Sequence, residues 1–404
     1  MNILHINQYD TQDGAAIAAY RLHQELLAQG YPSRLLVSKT TIDDNTIAAI
    51  PDKFPLATKL NHLTSQLGFN YLTILSSFDI PKHHFYQEAD VLNFHNILGG
   101  YFNYLALPQL TSKKPAIVTL HDMWYLTGHC GYSYNCQRWK SGCGQCPYPD
   151  EYPPVGKDNT HIEWKLKDWV YSHSQLTIVA PSHWLVEQAK KSILSRFPIH
   201  HIPNGIDTDR YRPLDPEMCR SLLGIPSGKK VLMFSSLNVS HYRKGGDLLL
   251  RAIKNLPESL RKEIVLLIMG CGGETIAKMV DIPIVDVGYI NSDRIKSMAY
   301  SAADIFVFPS RADNFPLVLQ ESLACGIPTV AFKVGGVPDI VRPEITGYLA
   351  EPENTDDLSN GIVQLLEDKK QRENMAKKCR EIVLEEYSLE LQAKCYIDLY
   401  SKIL

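Results

Sequence analysis

Short apolar runs rich in β-branched and aromatic residues alternate with longer helix-patterned stretches along this chain, in two successive sets. The first set is NILHIN, SRLLVS, VLNFH, AIVTLHD and LTIVAPS. The second, after His201, is VLMFSS, IVLLIMG, IVDVG, DIFVFPS and TVAFK. A strand apolar on both faces needs helices above and below it, so the alternation predicts parallel sheets covered on both sides. Stretches such as AAIAAYRLHQELLAQG have one apolar face and end in Gly, as covering helices do. Between the sets, HIPNGIDTDRYRPLD is rich in Pro, Asp and Gly and reads as an interdomain linker. The expected fold is α/β, with two Rossmann-like domains facing across a cleft. Residues 1–200 form the first domain, 201–387 the second, and 388–404 a last helix. The 404 residues suffice for two such cores.

Some function classes are excluded early. A net charge of −3 gives no overall pull toward nucleic acid or membrane. MNILHINQYD runs straight into a strand, without a basic segment followed by an apolar one, and no stretch approaches the ~18 apolar residues of a spanning helix. A cytoplasmic protein is expected, with structural disulfides disfavoured among its nine cysteines. The basic stretches Lys113-Lys114 and Lys165 to Lys167 read as solvated faces, or as a peripheral contact with the inner face of a membrane.

The segment 310–339, SRADNFPLVLQESLACGIPTVAFKVGGVPD, carries the most chemistry. DIFVFPS is a buried strand ending in a loop. Pro316 suits a first helical turn, and Gly326 suits a left-handed helix end. Asp313 then lies at a helix mouth, with Glu321 about a turn and a half inside at ~1.5 Å per residue. Free N–H groups at the mouth favour a phosphate, and two carboxylates at different depths can each hold a pair of hydroxyls. A sugar and a ribose joined by a diphosphate fit that spacing. Gly335 and Gly336, after the next strand, allow close backbone approach to a ligand. Arg243 and Lys244 precede Gly245-Gly246 at another loop-to-helix junction, where two cations can neutralise a diphosphate. Gly270 and Gly272 end a further strand.

In the first half, Gly14 opens the helix after strand one, with Asp13 ahead of it. His121 and Asp122 end AIVTLHD at the carboxyl edge of the sheet, where open α/β sheets bind ligands. A His there can accept a hydrogen bond from a sugar hydroxyl or polarise a reacting centre. His95, at the end of VLNFH, is expected on the acceptor side with Asp122. Cys130, Cys136, Cys143 and Cys146 fall within seventeen residues, in an insertion at 129–150 with many turn formers and few apolar residues. Four thiolates could hold a structural zinc that replaces a missing core; free thiols, a labile disulfide and redox chemistry are the alternatives.

The Asp313-x7-Glu321 spacing, with FPS before it and ACGIPTVAF and GGVPDIV after it, resembles the acidic motif of the retaining glycosyltransferases of family 4, which have the GT-B fold. The first acid is Asp here, not Glu. Ser235 and Ser236 stand where the family has an Arg, and Asp13-Gly14 where it has a Gly pair. HDMW followed by the spaced cysteines is similar to bacterial exopolysaccharide enzymes. The resemblance implies transfer of a hexosyl unit from a UDP- or GDP-linked sugar to a saccharide or lipid-linked saccharide, with no cofactor for catalysis. By the same resemblance His121 contacts the donor sugar, and Lys244 and Arg243 hold the diphosphate. Glu321 holds the ribose. Asp313 and the backbone of Phe315, Pro316 and Leu317 hold the sugar. Gly14, Gly270 and Gly272 line the donor, Val287 to Ile290 lie near the base, and the last helix braces the first domain. A sugar-nucleotide epimerase and a non-catalytic ligand-binding homologue are the alternatives.

Overall fold

The computed structural model describes residues 1–51 and 57–404, in two compact units. The first comprises 1–204 and 390–404, and the second 205–389. The strands of the first are β1 (Ile3–Ile6), β2 (Ser33–Val37), β3 (Ile47–Ala49), β4 (Val91–Phe94), β5 (Ala116–Thr119), β6 (Thr177–Ala180) and β7 (Ile199–His201). They pair in the order β3-β2-β1-β4-β5-β6-β7, every pair parallel. The second unit contains β8 (Lys230–Asn238), β9 (Ile264–Cys271), β10 (Ile284–Asp286), β11 (Ile305–Phe308), β12 (Thr329–Phe332) and β13 (Gly347–Ala350). Their order is β10-β9-β8-β11-β12-β13, also wholly parallel.

Both sheets are doubly wound, and both reverse strand order once, at β1/β4 and at β8/β11. Loops leaving the carboxyl ends of such strands diverge and leave room for a ligand. The central strands are buried on both faces, as their unbroken apolar runs require. Every strand run read from the sequence is present. The short edge strands β3, β7 and β13 add to them.

HIPNGIDTDRYRPLD contains the boundary between the units, after residue 204, but it is not loose: Ile206 and Tyr211 are fully buried in the second core, and Ile206 N donates to Tyr387 O at 2.8 Å. Asp207 Oδ1 folds the turn between them by accepting from the backbone N–H of Asp209 and Arg210. The basic stretch at 165–167 does not present Lys167 to solvent, because that side chain is wholly buried.

The helix Leu389–Ile403 supplies Tyr396 and Tyr400 to a core cluster of the first unit with Ile3, Leu22, Val91, Ile117 and Val179. Both phenols are buried and satisfied. Asn93 Nδ2 donates to Tyr400 Oη at 2.9 Å, and Tyr396 Oη shares a 2.9 Å bond with Thr119 Oγ1.

Candidate active site

In the second unit, Arg243 and Lys244 follow β8 and Asp313 follows β11, the two strands of the switch point. Arg243 Nη1 and Lys244 Nζ both reach Asp313 Oδ2, at 2.9 and 2.7 Å. Asp313 Oδ1 accepts the backbone N–H of Asn314 at 3.1 Å, and Arg243 also donates to Ala312 O. Burial pushes the Asp313 carboxyl up, yet the adjacent Lys244 and Arg243 charges outweigh it and hold the carboxyl below its usual range. Burial, and then Arg243, lower the Lys244 ammonium. Two cations and one carboxylate leave net positive charge beside the N-terminus of the helix Gly246–Lys254.

Glycines set this approach. Gly245 has φ +69°, and a Cβ on it would stand 1.9 Å from Pro309 O. Gly335 has φ +51°, and its Cβ would stand 1.9 Å from Asp313 O. The close approach that Gly335 makes in this structure is to the acidic loop. Gly270 likewise packs on Ser236 O, 1.7 Å from where its Cβ would be. Gly272 caps the short helix Gly273–Ala277. Gly288 O accepts Gly270 N–H at 2.8 Å, which ties the segment 287–290 to the end of β9.

The helix after the acidic loop is Leu317–Ala324. Pro316 is its N-cap, one position earlier than expected, and makes no side-chain capping bond. Phe315 buries its side chain in the second core and Leu317 is buried too, so what they offer a ligand is backbone. Glu321 is buried and accepts from Tyr300 Oη at 3.1 Å. A surface glutamate would not be placed so.

Arg311, two residues before Asp313, has no motif in the sequence to single it out. It donates to both oxygens of Asp247 at 2.8 and 2.7 Å, to Glu353 at 2.9 Å and to Tyr242 O at 2.7 Å. Its own backbone N–H donates to Arg243 O, so it staples the cationic loop to the acidic one.

In the first unit, Gly14 is the exposed first residue of the helix Gly14–Ala28. Asp13 is its N-cap, accepting Ala16 N–H at 2.8 Å, and burial raises the Asp13 carboxyl. The aspartate therefore serves the helix. Asp122 Oδ1 accepts Trp124 N–H at 2.8 Å.

His121 belongs to a chain of three imidazoles. His5 Nδ1 lies 3.0 Å from His95 Nε2, and His95 Nδ1 lies 3.0 Å from His121 Nε2. His95 is 1% exposed, so it cannot line an acceptor surface as expected; it is enclosed between its two neighbours. Burial lowers all three rings, His121 to about 4. The sequence signal for His5 is a single polar residue inside the apolar run ILHI.

The cysteine insertion is not coreless. Trp139 is buried in the main cluster and Trp164 Nε1 donates to its carbonyl at 2.8 Å. Buried Lys167 donates to Trp124 O and Thr127 O at 2.7 and 2.9 Å, with its ammonium 3.5 Å from the Trp124 ring centroid. All nine cysteines are free. Burial raises the thiols of Cys130, Cys143 and Cys146, Cys143 to about 11, and Cys146 Sγ lies 3.2 Å from His129 Nε2. No group of three His, Cys, Asp or Glu among the described residues is arranged to hold a metal ion.

Residues 12–210 match the model described as Glycosyltransferase Family 4, and residues 220–382 the model described as Glycosyl transferases group 1. The chain belongs to the group 1 and family 4 glycosyltransferases. It is 28% identical over 349 residues to a protein described as a colanic acid biosynthesis glycosyl transferase, WcaC of Escherichia coli (strain K12), covering 82% of this chain and 83% of that one. Among solved structures it resembles sucrose-phosphate synthase from Thermosynechococcus elongatus, with TM-score 0.74, 18% identity, and 100% and 99% of the two chains covered. It also resembles Anabaena HepE in complex with UDP-glucose, with TM-score 0.67, 15% identity and full coverage of both. At such identities these two likenesses establish the GT-B type of fold alone. No helix among the described residues is long and apolar enough to cross a membrane.

Proposed function

We propose that this glycosyltransferase moves a hexosyl unit, with retention, from a UDP- or GDP-linked sugar to a hydroxyl of a saccharide or lipid-linked saccharide in polysaccharide synthesis. The observation that carries the reading is the Arg243–Lys244–Asp313 cluster beside buried Glu321, at the switch point of a sheet in the group 1 region. The colanic acid relative and the UDP-glucose complex of HepE support the substrate class.

In this reading Arg243, Lys244 and the backbone at Phe315 to Leu317 hold the diphosphate and stabilise the charge that develops on it. That is the task a divalent ion performs elsewhere. Glu321, oriented by Tyr300, takes the ribose hydroxyls. Asp313 orders the cations and, once phosphate competes for them, faces the sugar. The bond from the anomeric carbon to phosphate oxygen breaks, the bond to the acceptor oxygen forms, and the acceptor proton passes to the departing phosphate. His121 contacts the donor sugar.

A structural zinc on Cys130, Cys136, Cys143 and Cys146 is part of the proposal and rests on their spacing in the sequence alone, since no group of three ligands among the described residues is arranged to hold an ion. Peripheral contact with the inner face of a membrane is proposed with a lipid-linked acceptor. Incubating the protein with UDP- and GDP-hexoses and a glycan acceptor panel, then separating the products, tests the reading. A new anomerically retained glycoside supports it. Interconversion of free donor without transfer overturns it.

A further inference from the structure

The three-imidazole chain has a direction. A neutral imidazole carries one N–H and one lone pair, so two linked hydrogen bonds among three rings admit two proton orders. In the first, His5 Nδ1–H donates to His95 Nε2 and His95 Nδ1–H donates to His121 Nε2, so the proton of His121 sits on Nδ1. In the second every bond is reversed and the terminal proton sits on His5 Nε2. That nitrogen is buried and has no hydrogen-bond partner among the described residues. An orphaned buried N–H is the rarer and costlier defect, so the first order prevails.

The backbone holds the rings in this row. His5 lies within β1, His95 directly follows β4 and donates its N–H to Ile6 O at 2.9 Å, and Tyr125 Oη donates to His95 O at 2.7 Å. Ring centroids are 5.3 Å apart at both links. An added proton on any ring makes either two facing N–H groups or an N–H at His5 Nε2. The row therefore resists charging. Of the three rings only His121 is partly exposed; His5 and His95 are buried.

We propose that His5 and His95 are positioning residues that lock His121 as the neutral Nδ1–H tautomer, so that His121 acts on substrate as a hydrogen-bond donor and not as a base or a cation. The substrate half of this statement rests on the transferase reading above; the tautomer half does not. Long-range proton–nitrogen correlation spectra of 15N-histidine-labelled protein read the tautomer directly, with signals assigned through single His→Gln variants. His121 is expected to show a protonated Nδ1 and an unprotonated Nε2 at neutral pH without any substrate. A protonated Nε2 on His121 in the wild-type spectrum overturns the proposal.

Variants extend the test. His95→Leu removes the donor and is expected to give mixed His121 tautomers, whereas His95→Gln, whose amide can still donate, is expected to restore the Nδ1–H form. His5→Leu provides the same loosening one ring further away if His95→Leu fails to fold. In turnover, His5→Leu is expected to lower kcat about tenfold with the donor KM nearly unchanged, as loss of an outer-shell partner does. A KM rise with kcat intact counts against the positioning role. Absence of any transferase activity would sink the functional reading while leaving the tautomer result to stand or fall separately.

Discussion

Lys244 Nζ lies 2.7 Å from Asp313 Oδ2, an ammonium on the loop after β8 fixed by a buried carboxylate on the loop after β11. Neither residue is placed for the other's sake by local structure. Gly245 and Gly335 let the two loops close, and Arg311 staples them.

Asp313→Asn leaves Arg243 and Lys244 facing one another without their counter-charge. Breaking a buried ion pair on one side costs about 3–5 kcal/mol. Denaturant unfolding is expected to show a loss of that order, and a loss below ~0.5 kcal/mol would mean the pair is not formed in solution.

Lys244→Met keeps the stem of the side chain and removes the charge offered to the diphosphate. A fall of about 100-fold in kcat is expected, the scale for losing one electrostatic donor to developing charge. Steady-state kinetics at saturating donor measures it; unchanged kcat would remove Lys244 from the site.

Gly335→Ala places a Cβ where Asp313 O already stands, at a backbone angle that favours glycine. The acidic loop must move. Stability is expected to fall by about 1–3 kcal/mol, with activity falling further than stability explains. A crystal structure of the variant with an undisplaced Asp313 would contradict this.

Histidine burial sets the acid side of the stability profile. Folded values of about 4 for His121 and His23 lie below the unfolded value of ~6.5, so the unfolded chain binds more protons between them. Stability is therefore expected to fall as pH drops from ~6.5 toward about 4, before most carboxylates titrate. Unfolding free energies at several pH values test the slope, and His23→Gln should flatten it. An unchanged slope in that variant would show that His23 is not buried neutral.

Zinc at the cysteine quartet is expected at about one ion per chain by elemental analysis, with loss in Cys143→Ser. A zinc-free preparation of full stability would leave Trp139 and Lys167 as what holds the insertion.

Much of the fold was legible because strands buried on both faces must be written as continuous apolar runs, and these mark the sheets without ambiguity. The edge strands β3, β7 and β13 were not, since IAA, IHH and GYLA lie in no continuous apolar run. Arg243, Lys244 and Glu321 were readable from residue type and spacing. What hid was pairing over long separations: His5 with His95 lies 90 residues apart, and Lys244 with Asp313 lies 69 apart. Lys167 misled because a lysine in a basic run is usually solvated, and only tertiary packing gives its ammonium two carbonyls and an indole face.

Calorimetric titration of the purified protein with UDP- and GDP-hexoses tests whether the Lys244–Asp313–Glu321 site holds a nucleotide sugar. Wild type is expected to bind at least one such donor, with Glu321→Gln and Lys244→Met each weakening it by about tenfold or more, near 1.4 kcal/mol. Binding of equal strength in all three proteins, or by none, would contradict it.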